Sequence, residues 1–182
     1  DVSEKSLSKA ERLLKGYIAA GACVPGCGDG LEKVEGGDDL VLIAGMGGEE
    51  ILKILKNSYI PKAFVFQPMK NARQLREYLL ERGCALEYDG LFTETCAGIT
   101  KHYFAIKGRA EGGTLCPYTE EELAFGRDSI GTPELKELLN CELEKNLAYA
   151  QGDLPPDSPQ GGGKSIAFIQ GELEKGNRAT VP

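Results

Sequence analysis

Two short apolar runs limit what this chain can fold into. Asp39-Leu-Val-Leu-Ile-Ala44 and Ala63-Phe-Val-Phe66 are each too short for a helix and too continuously apolar for a strand with one wet face. Both read as strands buried on two sides, as in a parallel sheet. The first breaks at Gly45-Met-Gly47-Gly48 and the second at Gln67-Pro68, and a helical pattern follows each time. From Glu49 onward Ile51, Ile54 and Leu55 face inward. From Asn71 to Arg82 the apolar stripe is Leu75, Tyr78 and Leu79. Strand, helix, strand, helix in alternation predicts βαβ units and an α/β fold.

The flanks complete the layout. Residues 3–17 read as an amphipathic helix, with Leu7, Ala10, Leu13, Leu14 and Tyr17 on one face. Residues 84–94 and 99–108 read as strands of a hairpin turning at Cys96-Ala-Gly98, an antiparallel edge on an otherwise parallel sheet. Thr119-x-x-Glu122 has the form of a capping box, and Thr132-Pro133 that of an N-cap with proline at the first helical position. Leu135, Leu138, Leu139, Leu143 and Leu147 form a helical stripe. Residues 152–163 read as a linker, and Ser165 to Lys175 as one more short helix.

Several function classes fall away. No apolar run approaches the ~20 residues of a membrane span. The net charge of −7 argues against wrapping nucleic acid with the whole surface, though not against a local basic patch. Cys23 and Cys27 have no second ligand pair and His102 is remote, so no metal site is expected; the six cysteines read as scattered reduced thiols of a cytosolic protein. Gly161-Gly-Gly-Lys164-Ser165 resembles the end of a phosphate loop. Ser158 stands where the first glycine belongs and no buried strand precedes it, so it reads as linker.

The candidate site residues lie at strand ends. Ala44 to Gly48 sits at the carboxyl end of a parallel strand, where open α/β sheets bind ligands, and glycines there admit a close backbone approach. Gln67 and Pro68 end the next strand at the same edge; the Gln67 amide would bind a base or cap the loop. Gly26-x-Gly28-Asp29-Gly30 is either a tight turn or the place where a nucleoside-binding sheet sets a carboxyl against an adenine amino group. Asp1-Val2-Ser3 either caps a helix or supplies an acid for ribose hydroxyls.

Taken in order, DVSEKSLSKAERL, CGDGLE, LVLIAGMGGEEILKIL, FVFQPMKNARQLREYL and ELAFGRDSIGTPELKELLNCELEK resemble bacterial tRNA (adenine-N1)-methyltransferases of the TrmK type over about residues 1–150. The resemblance implies a Rossmann-like class I methyltransferase domain at 1–117, ending in the hairpin. A small helical, coiled-coil-like domain that helps hold tRNA would follow at 118–182. It implies S-adenosylmethionine as cofactor, methylation of N1 of adenine 22 in tRNA, a cytoplasmic enzyme, and a monomer or weak dimer. Asp1 would bind the cofactor ribose, and Gly28, Asp29 and Gly30 its adenine. Ala44, Gly45, Met46, Gly47 and Gly48 would line the transfer site, while Gln67 and Pro68 would shape the target-base pocket.

Relative to that family, a first strand and its D-I-G-S-D-H-like cofactor loop are expected upstream of Asp1. The chain alone is therefore expected to bind the cofactor weakly, and a truncated or non-catalytic nucleoside- or RNA-binding remnant is the alternative reading. Adenine N1 already carries a lone pair, so transfer needs alignment more than a strong base. His102 is expected to be structural. Lys70, Arg73 and Arg76, with Lys101, Lys107 and Arg109, are the expected basic contacts to RNA.

Overall fold

A computed structural model of the chain describes residues 1–34, 40–113, 117–151 and 166–178. The elements run α1 (Glu4–Leu13), α2 (Lys15–Ala19), β1 (Val41–Met46), α3 (Gly48–Asn57), β2 (Ala63–Pro68), α4 (Ala72–Glu81), β3 (Cys84–Cys96), β4 (Ile99–Gly112), α5 (Glu120–Phe125), a 3₁₀ turn (Arg127–Ser129), α6 (Pro133–Gln151) and α7 (Ile166–Arg178). Asp39, Cys116 and the 152–163 linker with its Gly161–Ser165 run lie outside the described residues.

The four strands form one sheet in the order β1-β2-β4-β3. β1 and β2 pair in parallel, with Val41 opposite Phe64 and Ile43 opposite Phe66. The predicted hairpin is present as β3–β4 and occupies one end of the sheet, with β1 at the other. Ala97 and Gly98 at its tip both have positive φ (50° and 77°), the signature of a two-residue turn whose twist suits a hairpin. The mixed alternation of Ile99, Tyr103 and Ile106 also resolves. Ile99 is exposed and Ile106 buried, because odd and even positions face opposite sides and both sides carry apolar groups.

The chain divides into two compact units, residues 1–86 with 107–115, and 87–106 with 116–182. In the first, Phe64 and Phe66 stack at 4.7 Å and are buried with Ile51, Leu55, Leu75 and Leu79. Arg76 is fully buried among them. It occupies the i+4 position of the stripe Ala72, Leu75, Arg76 and Leu79, so it is not a solvent-facing RNA contact. In the second unit, Leu91, Ala124, Phe125, Leu135, Leu139 and Ile169 form the core. Leu138 and Leu143 pack against it, while Leu147 is left 39% exposed.

Both predicted caps are realised. Thr119 Oγ1 accepts from Glu122 N–H at 3.2 Å, and Thr119 N–H donates to Glu122 Oε2 at 2.7 Å. Thr132 Oγ1 accepts the Leu135 N–H at 3.3 Å. The first helix differs from expectation: it stops at Leu13 and resumes at Lys15, and neither piece buries a residue. Leu7 and Ala10 are half-buried, but Leu13 and Tyr17 are 82% and 64% exposed, so the apolar face is only partly covered.

Candidate functional site

The loops that leave β1 and β2 are tied into one structure by short polar contacts. The parallel register slips between Ala44 and Met46, which makes Gly45 a bulge at φ +77°. A bulged residue leaves the ladder and turns its amide elsewhere. The Gly45 N–H donates to Gln67 Oε1 at 2.9 Å, and Gln67 Nε2 lies 3.4 Å from Met69 Sδ. Met69 N–H donates to the Met46 carbonyl and Gly48 N–H to the Lys70 carbonyl, both at 2.8 Å. Glu50 Oε2 accepts the Gly47 N–H at 2.6 Å, and Asn71 Nδ2 donates to Glu49 Oε1 at 2.8 Å.

These glycines divide by what surrounds them. A side chain at Gly48 would meet the Asn71 carbonyl oxygen at 2.4 Å, so this residue is needed for backbone packing. At Gly45 the space is open, but positive φ penalises any β-branched residue. At Gly47 a Cβ would touch only the ends of Glu50 and Lys70, at 3.1 Å. Pro68 is fully buried, whereas Gln67 is half-buried and Met69 is 57% exposed. Sequence reasoning passed over Met69. The signal available was a large apolar residue placed directly after a strand-ending Gln-Pro.

Alongside β1 lies a cleft of about 760 Å³. Asp1, Gly28, Asp29, Gly30, Ala44 and Met46 all line it. The segment carrying Asp1 is held to the glycine turn by backbone, with Gly28 N–H donating to the Asp1 carbonyl at 3.1 Å. Ser3 caps α1 through its hydroxyl, while Asp1 Oδ1 accepts the Ser3 N–H at 2.8 Å. Capping therefore falls to Ser3, and Asp1 belongs to the cleft. Gly30 adopts φ +55°, and a Cβ there would strike Ile54 at 2.7 Å. Apolar walls come from Leu31, Val34, Leu42 and Ile54; the sequence marked Ile54 and Leu42 only as core positions and Leu31 and Val34 not at all. Gly45, Gly47, Gln67 and Pro68 are not part of this lining. Met46 and Ala44 connect the cleft to the paired loops.

Two acids, a glycine turn that admits a flat group, and apolar walls suit a nucleoside with free ribose hydroxyls. Carboxylates accept from hydroxyl and amino groups, and the apolar walls cover a base. No cluster of three His, Cys, Asp or Glu that could hold a metal occurs among the described residues, and no described helix is long and apolar enough to cross a membrane.

The family model described as "Methyltransferase domain" matches residues 1–103, more than half of the chain. The chain belongs to the methyltransferase-domain family. Solved structures share its fold. A Streptococcus agalactiae protein of the NADB-Rossmann superfamily superposes with a TM-score of 0.70 at 23% identity, over 100% of this chain and 78% of its own. M. capricolum TrmK, solved with S-adenosyl-homocysteine, gives 0.70 at 21% identity over 98% and 77%. The B. subtilis m1A22 tRNA methyltransferase TrmK gives 0.65 at 20% identity over 98% and 76%. No curated protein matches the chain.

The other residues named from sequence are placed as follows. His102 has a side chain 9% exposed, with Nε2 3.7 Å from Glu137 Oε2, in the second unit. Cys23, Cys27, Cys84, Cys96 and Cys141 are free thiols. Burial pushes the Cys84 thiol above its ordinary pKa, against a smaller opposing pull from Arg82. Lys70, Arg73, Lys101, Lys107 and Arg109 are exposed.

Proposed function

We propose that this chain carries the transfer site of an S-adenosylmethionine-dependent tRNA methyltransferase that modifies N1 of adenine 22. It would act in the cytoplasm as a monomer or weak dimer. Residues 1–117 would make up the transfer domain and the helical 118–182 would help hold the RNA. The observation that carries the reading is the convergence of Asp1, Gly28, Asp29, Gly30, Ala44 and Met46 on one cleft beside β1. The TrmK fold likeness adds support, since one such relative was solved with the spent cofactor and another is a tRNA m1A22 methyltransferase.

In this reading the Asp1 carboxylate accepts from the ribose hydroxyls and Asp29 from the adenine amino group. Gly30 gives the base room against Ile54. When bound, the cofactor supplies an electrophilic methyl group. The protein's contribution is alignment: the Gly45–Gln67 bond and the Met46–Met69 and Gly48–Lys70 backbone bonds fix the two loops between which the target base enters. Proximity and orientation of this kind account for much of the acceleration of a transfer that needs no prior deprotonation. The target adenine must be extruded to reach such a site, and exposed Met69 offers an apolar face beside the Gln67 amide.

Calorimetric titration of S-adenosyl-homocysteine into the full-length gene product tests the assignment. Asp29→Ala and Gly30→Val should each weaken binding at least tenfold, the order expected for one charged hydrogen bond (roughly 1.5–3 kcal/mol) or a blocked base site. Parent-like affinity in both variants would remove the cleft from the cofactor site.

A further inference from the structure

The bond between Gly45 and Gln67 fixes which way the Gln67 amide faces. The Gly45 N–H can only donate, so the atom 2.9 Å from it is the amide oxygen, and the amide nitrogen lies 3.4 Å from Met69 Sδ. Neither contact exhausts the amide. Its oxygen keeps a second lone pair. Its NH₂ carries two hydrogens, of which the Met69 thioether, a weak acceptor, takes one. The space around it is open. A Cβ at Gly45 would meet nothing within 4 Å, and Met69 is 57% exposed. Pro68, next in the chain, is fully buried and anchors the end of the strand. A glutamine free to turn offers either end of its amide to a ligand. This one offers an acceptor on the Gly45 side and a donor on the Met69 side.

That order matches one edge of adenine. On its major-groove edge adenine shows the N6 amino group as donor beside N7 as acceptor, the pair that a glutamine amide meets in bidentate fashion. Guanine shows two acceptors there, O6 and N7, and would set O6 against the Gln67 oxygen. A pyrimidine has no N7. The choice of edge also bears on the reaction. Holding the base by N6 and N7 leaves N1 free on the adjoining Watson–Crick edge. No protein donor then competes with the methyl group for the N1 lone pair.

We propose that Gln67 is the residue that reads the target base. Its Nε2 donates to adenine N7, its Oε1 accepts from the N6 amino group while still holding the Gly45 N–H, and N1 is left facing the methyl donor. The bulged Gly45 N–H sets the polarity of the amide and so selects adenine over guanine. The inference rests on the methyl-transfer reading and adds to it the edge by which the base is held.

The test compares natural tRNA with tRNA carrying 7-deazaadenosine at the target position, where a C–H replaces N7 and N1 remains. With the full-length gene product and S-adenosylmethionine, kcat/KM should fall at least about tenfold on the 7-deaza substrate, the order expected for a site donor left without its partner. Gln67→Glu keeps an acceptor for the Gly45 N–H and loses the donor. It should lower kcat/KM on natural tRNA at least about tenfold and show no further loss on the 7-deaza tRNA. It should keep parent affinity for S-adenosyl-homocysteine, because Gln67 does not line the cleft beside β1. In the parent, the Gln67 side-chain amide signals in nuclear magnetic resonance should shift on adding natural tRNA and not on adding the 7-deaza form. Parent-like kcat/KM on the 7-deaza tRNA, or an undiminished 7-deaza penalty in Gln67→Glu, would overturn the proposal and leave the methyl-transfer reading standing. Absence of 1-methyladenosine from parent protein and natural tRNA would overturn that reading and the proposal with it. The comparison of the two tRNAs on the parent protein needs no variant to fold.

Discussion

Replacing Gly47 and Gly48 separately by alanine should separate a glycine of the transfer site from a glycine of the fold. At Gly48 the new Cβ would lie 2.4 Å from the Asn71 carbonyl oxygen, 1.0 Å short of the 3.4 Å at which ordinary contact begins. That oxygen is backbone and cannot swing aside. Overpacking of this kind costs about 1–3 kcal/mol. Displacing the loop also strains the Gly48 N–H bond to Lys70, worth about 1 kcal/mol. The sum, about 2–4 kcal/mol, is a large share of a typical stability of about 5–15 kcal/mol. At Gly47 the backbone has φ −68° and the crowding atoms are side-chain ends, so alanine should cost under about 1 kcal/mol. Urea unfolding followed by circular dichroism reads the difference. With a slope of about 2 kcal/mol per molar, Gly48→Ala should lower the midpoint by roughly 1–2 M and Gly47→Ala by under about 0.5 M. Equal midpoints, or the reverse order, would refute the packing argument.

Glu121→Gln should raise stability at neutral pH. The folded-state pKa of Glu121 lies above its unfolded value, mainly through burial and Glu172, so its contribution is full below the unfolded value and is lost as pH rises through the folded one. Urea midpoints across that window should fall less steeply in the variant, and an identical pH slope would contradict the assignment. Exposed Cys96 should react with a thiol reagent well before buried Cys84, whose thiol burial keeps protonated; equal rates would count against that burial. Replacing Lys70 and Arg73 by alanine should weaken tRNA binding and flatten its salt dependence. An unchanged slope would exclude that patch.

The parts of the fold legible in the sequence were those set by local pattern. The runs ending at Ala44 and Phe66 form the expected parallel strands, but only β2 is covered on both faces; on β1 Val41 and Ile43 are buried while Leu42 is 65% exposed, so its apolar run overstated the burial. The boxes at Thr119 and Thr132 show because a cap needs only residues three apart. The Gly45 bulge was not legible, since it depends on the Gln67 amide reaching across from the neighbouring strand. Nor was the Glu121–Glu172 carboxyl contact, which brings α5 and α7 together from far apart in sequence. Arg76 was misread for a different reason. Its charge suggested solvent, yet its place at i+4 from Ala72 put it in the buried stripe, where the pattern outweighs residue type. The stripe of α1 shows the converse, a clean amphipathic pattern whose apolar face is covered only at Leu7 and Ala10 and is left open at Leu13 and Tyr17.

The reaction to be tested is methyl transfer to adenine N1 at the paired loops that leave β1 and β2. Unmodified tRNA incubated with S-adenosylmethionine and the full-length gene product should yield 1-methyladenosine at position 22 on nucleoside and fragment mass spectrometry. The Gly47→Val variant, with its fold retained by circular dichroism, should yield none. Unmethylated tRNA with the parent protein, a methyl group on another atom or position, or full activity in Gly47→Val would contradict the account.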